Sequence, residues 1–180
     1  MFSFFRKERV PTGPHEFGAE TEVARKADEL FSLLDLNSPL YWKRQMGDRI
    51  EKIAPDTFEM VIKQLPDVRF TLSITEYEPG RVIAFEAVSE PRMGRLDRAI
   101  ERYEITEFEP GMSRLELGMT VFFQNELKLR AFQDEQVLLG ISTFNAVEKI
   151  RLFAEEGEQA VQVADEQLIV GIDKVICPDS

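Results

Sequence analysis

Apolar and polar residues alternate along much of the middle of the chain. In residues 16–23, Phe17, Ala19 and Val23 fall on one side, while the other side carries mainly glutamates. A period of two predicts a β-strand with one buried face. The same alternation recurs in six later segments, separated mainly by turn sequences that contain proline, glycine or aspartate. These six predicted strands are residues 49–53, 57–63, 68–77, 81–89, 97–108 and 112–124.

Helical spacing of apolar residues predicts three helices. The first is residues 24–34, and a second, short helix follows Ser38, which can cap it, and ends at Gly47. The third, residues 126–156, contains no proline and would be about 46 Å long at about 1.5 Å per residue. Asn125 stands where the N-cap of this long helix is expected.

One side of the long predicted helix is apolar, but its middle carries Gly140 and Thr143. A glycine inside a helix costs about 0.5–1 kcal/mol relative to alanine, so we expect another group to approach the helix closely at Gly140. The helix should therefore pack against a sheet without filling all the space between them.

The chain of 180 residues is of the size of one domain. Strands joined by short loops are expected to pair in sequence as an antiparallel meander. The sheet needs cover on its apolar face, and the long helix is the only predicted element large enough to supply it.

This order of elements resembles the helix-grip fold of the START/Bet v 1-like (SRPBCC) superfamily. TLSITEYEPGRVIAFEAVSE, residues 71–90, looks like its polyketide cyclase/dehydrase and lipid-transport branch, in which a strand ends in an acidic-aromatic Pro-Gly turn and the next begins with a basic residue. ERYEITEFEPGMSRLELGMTVFF, residues 101–123, is similar to the closing hairpin of that branch. The resemblance covers residues 16–156, with residues 1–15 as an N-terminal arm and residues 157–180 as a tail. It implies an α+β fold in which a curved seven-stranded antiparallel sheet, in the order β-α-α-β6-α, wraps around the long C-terminal helix.

The resemblance also implies a cavity between sheet and helix, where members of the superfamily bind lipids, sterols, polyketides or hormones. A minority catalyse cyclisation or dehydration, and others act on protein partners. The alternative is a filled core in which the same side chains simply pack. Side-chain direction predicts as lining residues Phe58, Phe70, Leu72, Phe85, Tyr103, Leu117 and Met119 from the sheet, Gln136, Leu139, Gly140, Thr143 and Val147 from the helix, and Tyr41 and Trp42 at the entrance.

Glu101 is a carboxylate on the predicted inner face, because strand alternation places it with Ala99, Tyr103 and Ile105. Burial would raise its pKa, so Glu101 with Tyr103 or Tyr41 could act as an acid-base pair or bind a ligand hydroxyl. The alternatives are that this part of the strand is exposed or bulged, or that Glu101 pairs with an arginine.

Composition excludes several classes of function. A net charge of −11 argues against sequence-independent nucleic-acid binding. No apolar run reaches the length of about 20 residues that a membrane-spanning helix needs, so we expect no stable membrane insertion. The single Cys177 leaves no intramolecular disulfide and favours the cytoplasm. His15 is the only histidine and no phosphate-binding glycine motif occurs, so we expect no metal and no cofactor.

Apolar residues also lie on the side of the long helix that faces away from the sheet. Leu138, Ile141 and Leu152 fall there, and in the tail residues 167–172 and 175–176 are apolar enough to be buried. The tail is therefore expected to fold back over the helix, or this face to meet a second subunit in a homodimer.

The function favoured by these observations is binding or transport of a small hydrophobic or amphipathic molecule. A cyclase/dehydratase-type enzyme that uses Glu101 and a tyrosine, and a protein-interaction module that uses the tail and the outer helix face, remain as alternatives.

Overall fold

The computed structural model describes residues 9–166. Residues 158–166, after the last element named below, are also helical. The elements in chain order are β1 (Arg9–Val10), β2 (His15–Val23), α1 (Ala27–Leu34), α2 (Trp42–Gln45), β3 (Arg49–Ala54), β4 (Thr57–Val61), β5 (Arg69–Glu78), β6 (Val82–Glu90), β7 (Leu96–Glu109), β8 (Met112–Phe123), β9 (Leu127–Lys128) and α3 (Leu129–Glu156).

Seven antiparallel strands form the main sheet, in the spatial order β2-β8-β7-β6-β5-β4-β3. Strands β3 to β8 pair consecutively, which confirms the predicted meander. Strand β2 precedes the other six strands of this sheet in the chain but joins the far edge beside β8, where His15 pairs with Val121 and Val23 with Ser113. The predicted α+β helix-grip architecture is therefore confirmed.

The long helix α3 packs against β2 and β8 through one side, which carries five buried residues. Polar contacts fix its position along the sheet. The Thr21 hydroxyl donates to Glu148 Oε1 at 2.8 Å, and Arg25 Nε donates to the Ala154 carbonyl at 2.7 Å. The buried residues of α3 are Leu139, Thr143, Val147, Ile150 and Ala154.

The start of α3 differs from the prediction. The N-cap position is held by Lys128, without a side-chain cap, and not by Asn125. Residues 127–128 form β9, which pairs antiparallel with β1. Because that ladder keeps the backbone of residues 127–128 extended, the helix begins at Leu129. Strand β1 lies in the segment predicted to be only an arm.

The apolar core is divided into two clusters. The larger one joins α1, α2, the inner faces of β3 to β8 and the C-terminal half of α3, with Leu30, Phe58 and Ile150 fully buried. The smaller one joins the end of β8 to the N-terminal half of α3 through Phe123 and Leu139. Because the two clusters are separate, side chains at their boundary do not interdigitate completely.

The C-terminal part of the described chain returns along α3. Gly157, at a positive φ of 90°, ends the helix, and its N–H donates to the carbonyls of Leu152 and Phe153. Residues 158–166 then lie on α3 through the buried Val161 and an ion pair between Lys149 and Asp165. The tail segment predicted to cover the outer face, residues 167–176, lies outside the described residues.

The outer face of α3 exposes large apolar side chains that are more than half accessible. No helix among residues 9–166 is both long and apolar enough to cross a membrane. The exposed apolar residues of this face are Val137, Leu138, Ile141 and Phe144.

Candidate functional site

A cavity of about 300 Å³ lies between the inner face of the sheet and the helices α2 and α3, at the boundary of the two core clusters. This volume is at the lower end of the range of about 300–1,000 Å³ found for small-molecule sites. The cavity is lined by Tyr41, Lys43, Met60, Ile62, Phe70, Leu72, Phe85, Ala87, Ser89, Met93, Leu96, Asp97, Arg98, Ala99, Glu101, Met119, Leu139 and Ser142.

Small side chains on neighbouring strands provide the space. Ala87 of β6 lies directly opposite Ala99 of β7, and on its other side it faces Leu72 of β5. Inward residues of paired strands are close neighbours, so a row with two alanines leaves a gap that larger residues would fill. In the next inward row Glu101 lies between Phe85 and Met119.

Seven of the candidate residues predicted from the sequence line this cavity. Those on strands do so because side chains alternate between the two faces of the sheet. Glu101, the candidate acid-base residue, is among them. The seven are Tyr41, Phe70, Leu72, Phe85, Glu101, Met119 and Leu139.

The other predicted lining residues lie elsewhere. Five of them are buried in the packed core: Phe58, Tyr103, Leu117, Thr143 and Val147. Trp42 is also buried but borders a neighbouring cleft, and Gln136 and Gly140 are exposed on α3.

Two physical facts explain these differences. The middle and C-terminal half of α3 pack closely on the sheet, so that Thr143 is fully buried and its hydroxyl donates to the Leu139 carbonyl at 2.7 Å. The close approach expected at Gly140 is not observed among residues 9–166, where a side-chain carbon added at Gly140 would meet no atom within 4 Å. The cavity lies instead mainly over β4 to β7, and Leu139 and Ser142 of α3 line one side of it.

Sequence reasoning missed more than half of the wall. Ala87 and Ala99 could have been predicted from the sequence, because small residues at inward positions of adjacent strands leave room for a cavity. The loop residue Met93 could not, because its place depends on how the β6–β7 connection folds over the sheet. The missed lining residues are Lys43, Met60, Ile62, Ala87, Ser89, Met93, Leu96, Asp97, Arg98, Ala99 and Ser142.

Glu101 lies near two tyrosines, Tyr41 in the cavity wall and Tyr103 in the packed core behind it. The Tyr103 hydroxyl donates to Glu101 Oε2 at 2.7 Å. Burial raises the pKa of both Tyr41 and Tyr103, and the neighbouring Glu101 carboxylate raises these pKa values further. Both phenols are therefore protonated, and able to donate hydrogen bonds, at neutral pH.

The other acidic and guanidinium groups of the cavity wall have partners within the protein. Asp97 forms an ion pair with Arg92 at 3.3 Å, and Arg98 pairs with Glu86. The expected alternative of an arginine partner for Glu101 is not observed among the ion pairs of residues 9–166. Glu101 is thus the carboxylate of the wall that forms no ion pair with a lysine or an arginine among residues 9–166.

A second cleft, of about 460 Å³, lies on the other side of α2. It is bounded by Trp42 and Met46 of this region and by Val161 and Asp165 of the C-terminal helical segment. Lys43 and Ile62 border both spaces, so these side chains separate the cleft from the cavity. Within residues 9–166, no group of three or more histidine, cysteine, aspartate or glutamate side chains is arranged to hold a metal ion.

No family model and no curated protein matches the chain. Solved structures do match it. The crystal structure of Ara h 8.0201 is similar over 78% of this chain and 99% of its own, at 12% identity and a TM-score of 0.59. A START superfamily protein from Mycobacterium smegmatis is similar over 86% of this chain and 99% of its own, at 14% identity and a TM-score of 0.50.

The di-domain ARO/CYC protein StfQ of the steffimycin biosynthetic pathway is also similar. The match covers 78% of this chain and 50% of StfQ, at 16% identity and a TM-score of 0.53. At such identities the shared property is the fold. The chain therefore has the START/Bet v 1-like helix-grip fold, with its cavity in the space between the sheet and the long helix.

Proposed function

We propose that the protein binds a compact amphipathic small molecule in the cavity between the sheet and α3. The observation that carries this proposal is the space beside Ala87 and Ala99, walled by apolar side chains and containing a few polar groups. Apolar walls with a small number of directed polar groups are typical of small-molecule sites. The similarity to solved START and Bet v 1-like structures supports the same conclusion at the level of the fold.

The volume narrows the ligand class. At about 300 Å³, the cavity suits one compact molecule, such as a small ring system or a short chain. A lipid with long acyl chains would leave much of its apolar surface in water, which is unfavourable by about 25 cal/mol per Å². Among the ligand types expected from the fold, compact ring-containing molecules are therefore favoured over long-chain lipids.

Native mass spectrometry of the protein purified from its own host tests the proposal. The variant Ala87→Leu fills part of the cavity, and Ala54→Leu makes the same chemical change at an exposed position of β3. We expect a bound small molecule with the wild-type protein and with Ala54→Leu, and its loss from Ala87→Leu. Equal occupancy of both variants would show that the ligand binds elsewhere.

A second candidate function is acid-base catalysis of cyclisation or dehydration. It is favoured by the hydrogen bond between Tyr103 and Glu101 at the cavity wall and by similarity to StfQ, which is described as an ARO/CYC protein. Glu101 would accept a proton from the substrate, and Tyr41 would donate a hydrogen bond to the oxygen on which charge develops.

The variant Glu101→Gln separates this candidate from simple binding, because glutamine keeps the size of the side chain but cannot take up the proton. Turnover of a polyketide-like substrate should be lost while thermal stability and ligand binding are kept. Turnover equal to that of the wild-type protein would remove Glu101 from the mechanism.

A further inference from the structure

Glu101 and Tyr41 are polar groups of the cavity wall with hydrogen-bonding capacity that residues 9–166 do not use. Glu101 Oε2 accepts from Tyr103 at 2.7 Å, while Oε1 has no hydrogen-bond donor within residues 9–166. Both oxygens of a carboxylate can accept hydrogen bonds. The contact with Tyr103 holds the carboxylate in place, and Oε1 remains available to accept a further hydrogen bond.

Tyr41 provides the second group. Its side chain is only 3% exposed, and its hydroxyl makes no hydrogen bond within the described part of the chain. Among residues 9–166, Arg44 Nε is the only side-chain polar atom that is both fully buried and without a partner. The Tyr41 oxygen also has no partner, so it is not fully buried, and the space beside it is the cavity that its side chain lines.

The position of Tyr41 is set by its neighbours. Its N–H donates to the Ser38 carbonyl at 3.2 Å, and its own carbonyl accepts from Arg44 at 2.9 Å. The ring belongs to the larger core cluster, together with Phe85 and Tyr103. Tyr41 and Glu101 line the same cavity of about 300 Å³. A fixed donor and a fixed acceptor thus lie close to each other in an apolar site.

We propose that the ligand presents a hydroxyl group, of an alcohol or a phenol, to Glu101 and Tyr41. This inference rests on the proposed binding function and names the ligand chemistry of the same cavity. The ligand hydroxyl donates to Glu101 Oε1 and accepts from the Tyr41 hydroxyl, while the rest of the molecule contacts the apolar walls.

Other head groups match the pair less well. An ammonium group only donates, so it would satisfy Glu101 and leave the Tyr41 proton without an acceptor. A carboxylate would accept from Tyr41 but would be repelled by Glu101. A purely apolar ligand would leave Glu101 Oε1 and the Tyr41 hydroxyl desolvated and unpaired, which is unfavourable in a buried site.

Ligand-observed NMR titration with four probes on one ring system tests the inference. The probes are naphthalene, 2-naphthol, 2-naphthoate and 2-naphthylmethylammonium. A hydroxyl group paired on both sides should make 2-naphthol bind about tenfold more tightly than naphthalene. The charged probes should bind more weakly than 2-naphthol.

The variants Tyr41→Phe and Glu101→Leu each remove one partner of the hydroxyl. We expect each to reduce the preference for 2-naphthol over naphthalene by about fivefold to tenfold, without weakening the binding of naphthalene. Glu101→Gln keeps an acceptor oxygen and should keep most of the preference. Thermal unfolding of each variant verifies that it is folded.

Three results would overturn the inference, and they are distinguishable from one another. A hydroxyl preference that persists in both Tyr41→Phe and Glu101→Leu would place the hydroxyl elsewhere. Tighter binding of the ammonium probe than of 2-naphthol would assign a cationic ligand to Glu101. In both cases naphthalene would still bind and Ala87→Leu would weaken it, so cavity binding would stand. If no probe binds the wild-type protein, the proposed function fails together with the inference.

Discussion

Replacing Ala87 by leucine tests whether the cavity is open in the ligand-free protein. Ala87 lines the cavity and faces Ala99 and Leu72 across the neighbouring strands. If the space is open, the larger side chain enters it without displacing its neighbours. If the core is filled, the same change forces the neighbouring side chains and the backbone to move.

The two cases predict opposite signs for the change in stability. Leucine adds three carbon atoms to alanine, and burying a CH₂ group contributes about 0.8 kcal/mol, so the gain is at most about 2.4 kcal/mol. Restricting the leucine side chain offsets about 0.5–1 kcal/mol of this gain. We expect the free energy of unfolding to rise by about 1–2 kcal/mol, whereas overpacking a filled core would lower it by about 1–3 kcal/mol.

Equilibrium unfolding in urea, in the absence of ligand, measures the difference. Ala154→Leu is the matched control, because Ala154 is 3% exposed and lies in the larger core cluster, away from the cavity wall. This control should be destabilised by about 1–3 kcal/mol. If Ala87→Leu loses as much stability as Ala154→Leu, the cavity is closed in solution and the reasoning from its volume is refuted.

Two further predictions concern the side chains around the site. Because burial and Glu101 raise the pKa values of Tyr41 and Tyr103 above the ordinary value of 10.0, neither should ionise before the protein unfolds. Their contribution to stability should be complete below pH 10 and fall at higher pH. A spectrophotometric titration in which these phenols ionise near pH 10 in the folded protein would contradict this. Phe58→Ala should lower the free energy of unfolding by about 3–5 kcal/mol, because Phe58 is 1% exposed in the packed core. A change below about 1 kcal/mol in urea unfolding would instead place Phe58 beside an open space.

Part of the site could be predicted because strand alternation is a local property. Phe70, Leu72 and Phe85 were placed on the inner face by counting residues, and the sheet pairing brings them to one cavity. The same counting also placed Phe58 and Leu117 inward, yet both lie in filled core. Alternation determines which face a residue occupies; how much space lies above that face depends on side chains from other elements.

The helix boundary shows the same limit. Asn125 has the chemistry of an N-cap, but β9 pairs with β1 and keeps the preceding backbone extended. This pairing joins segments more than 100 residues apart in the chain. A capping preference of about 1 kcal/mol is a weak local signal, and it is overridden when long-range strand pairing supplies the hydrogen bonds.

The amino-acid sequence by itself determined the number and order of the main strands, the long amphipathic helix and hence the helix-grip class, because periodicity and turn chemistry are encoded over a few neighbouring residues. Only the tertiary structure decided where the empty space lies. Ala87 and Ala99 meet across two strands, Tyr41 arrives from a different element to lie near Glu101, and α3 packs too tightly over Thr143 to leave room there. A cavity is the volume that distant side chains fail to fill, so it is a property of their joint packing and of no single segment.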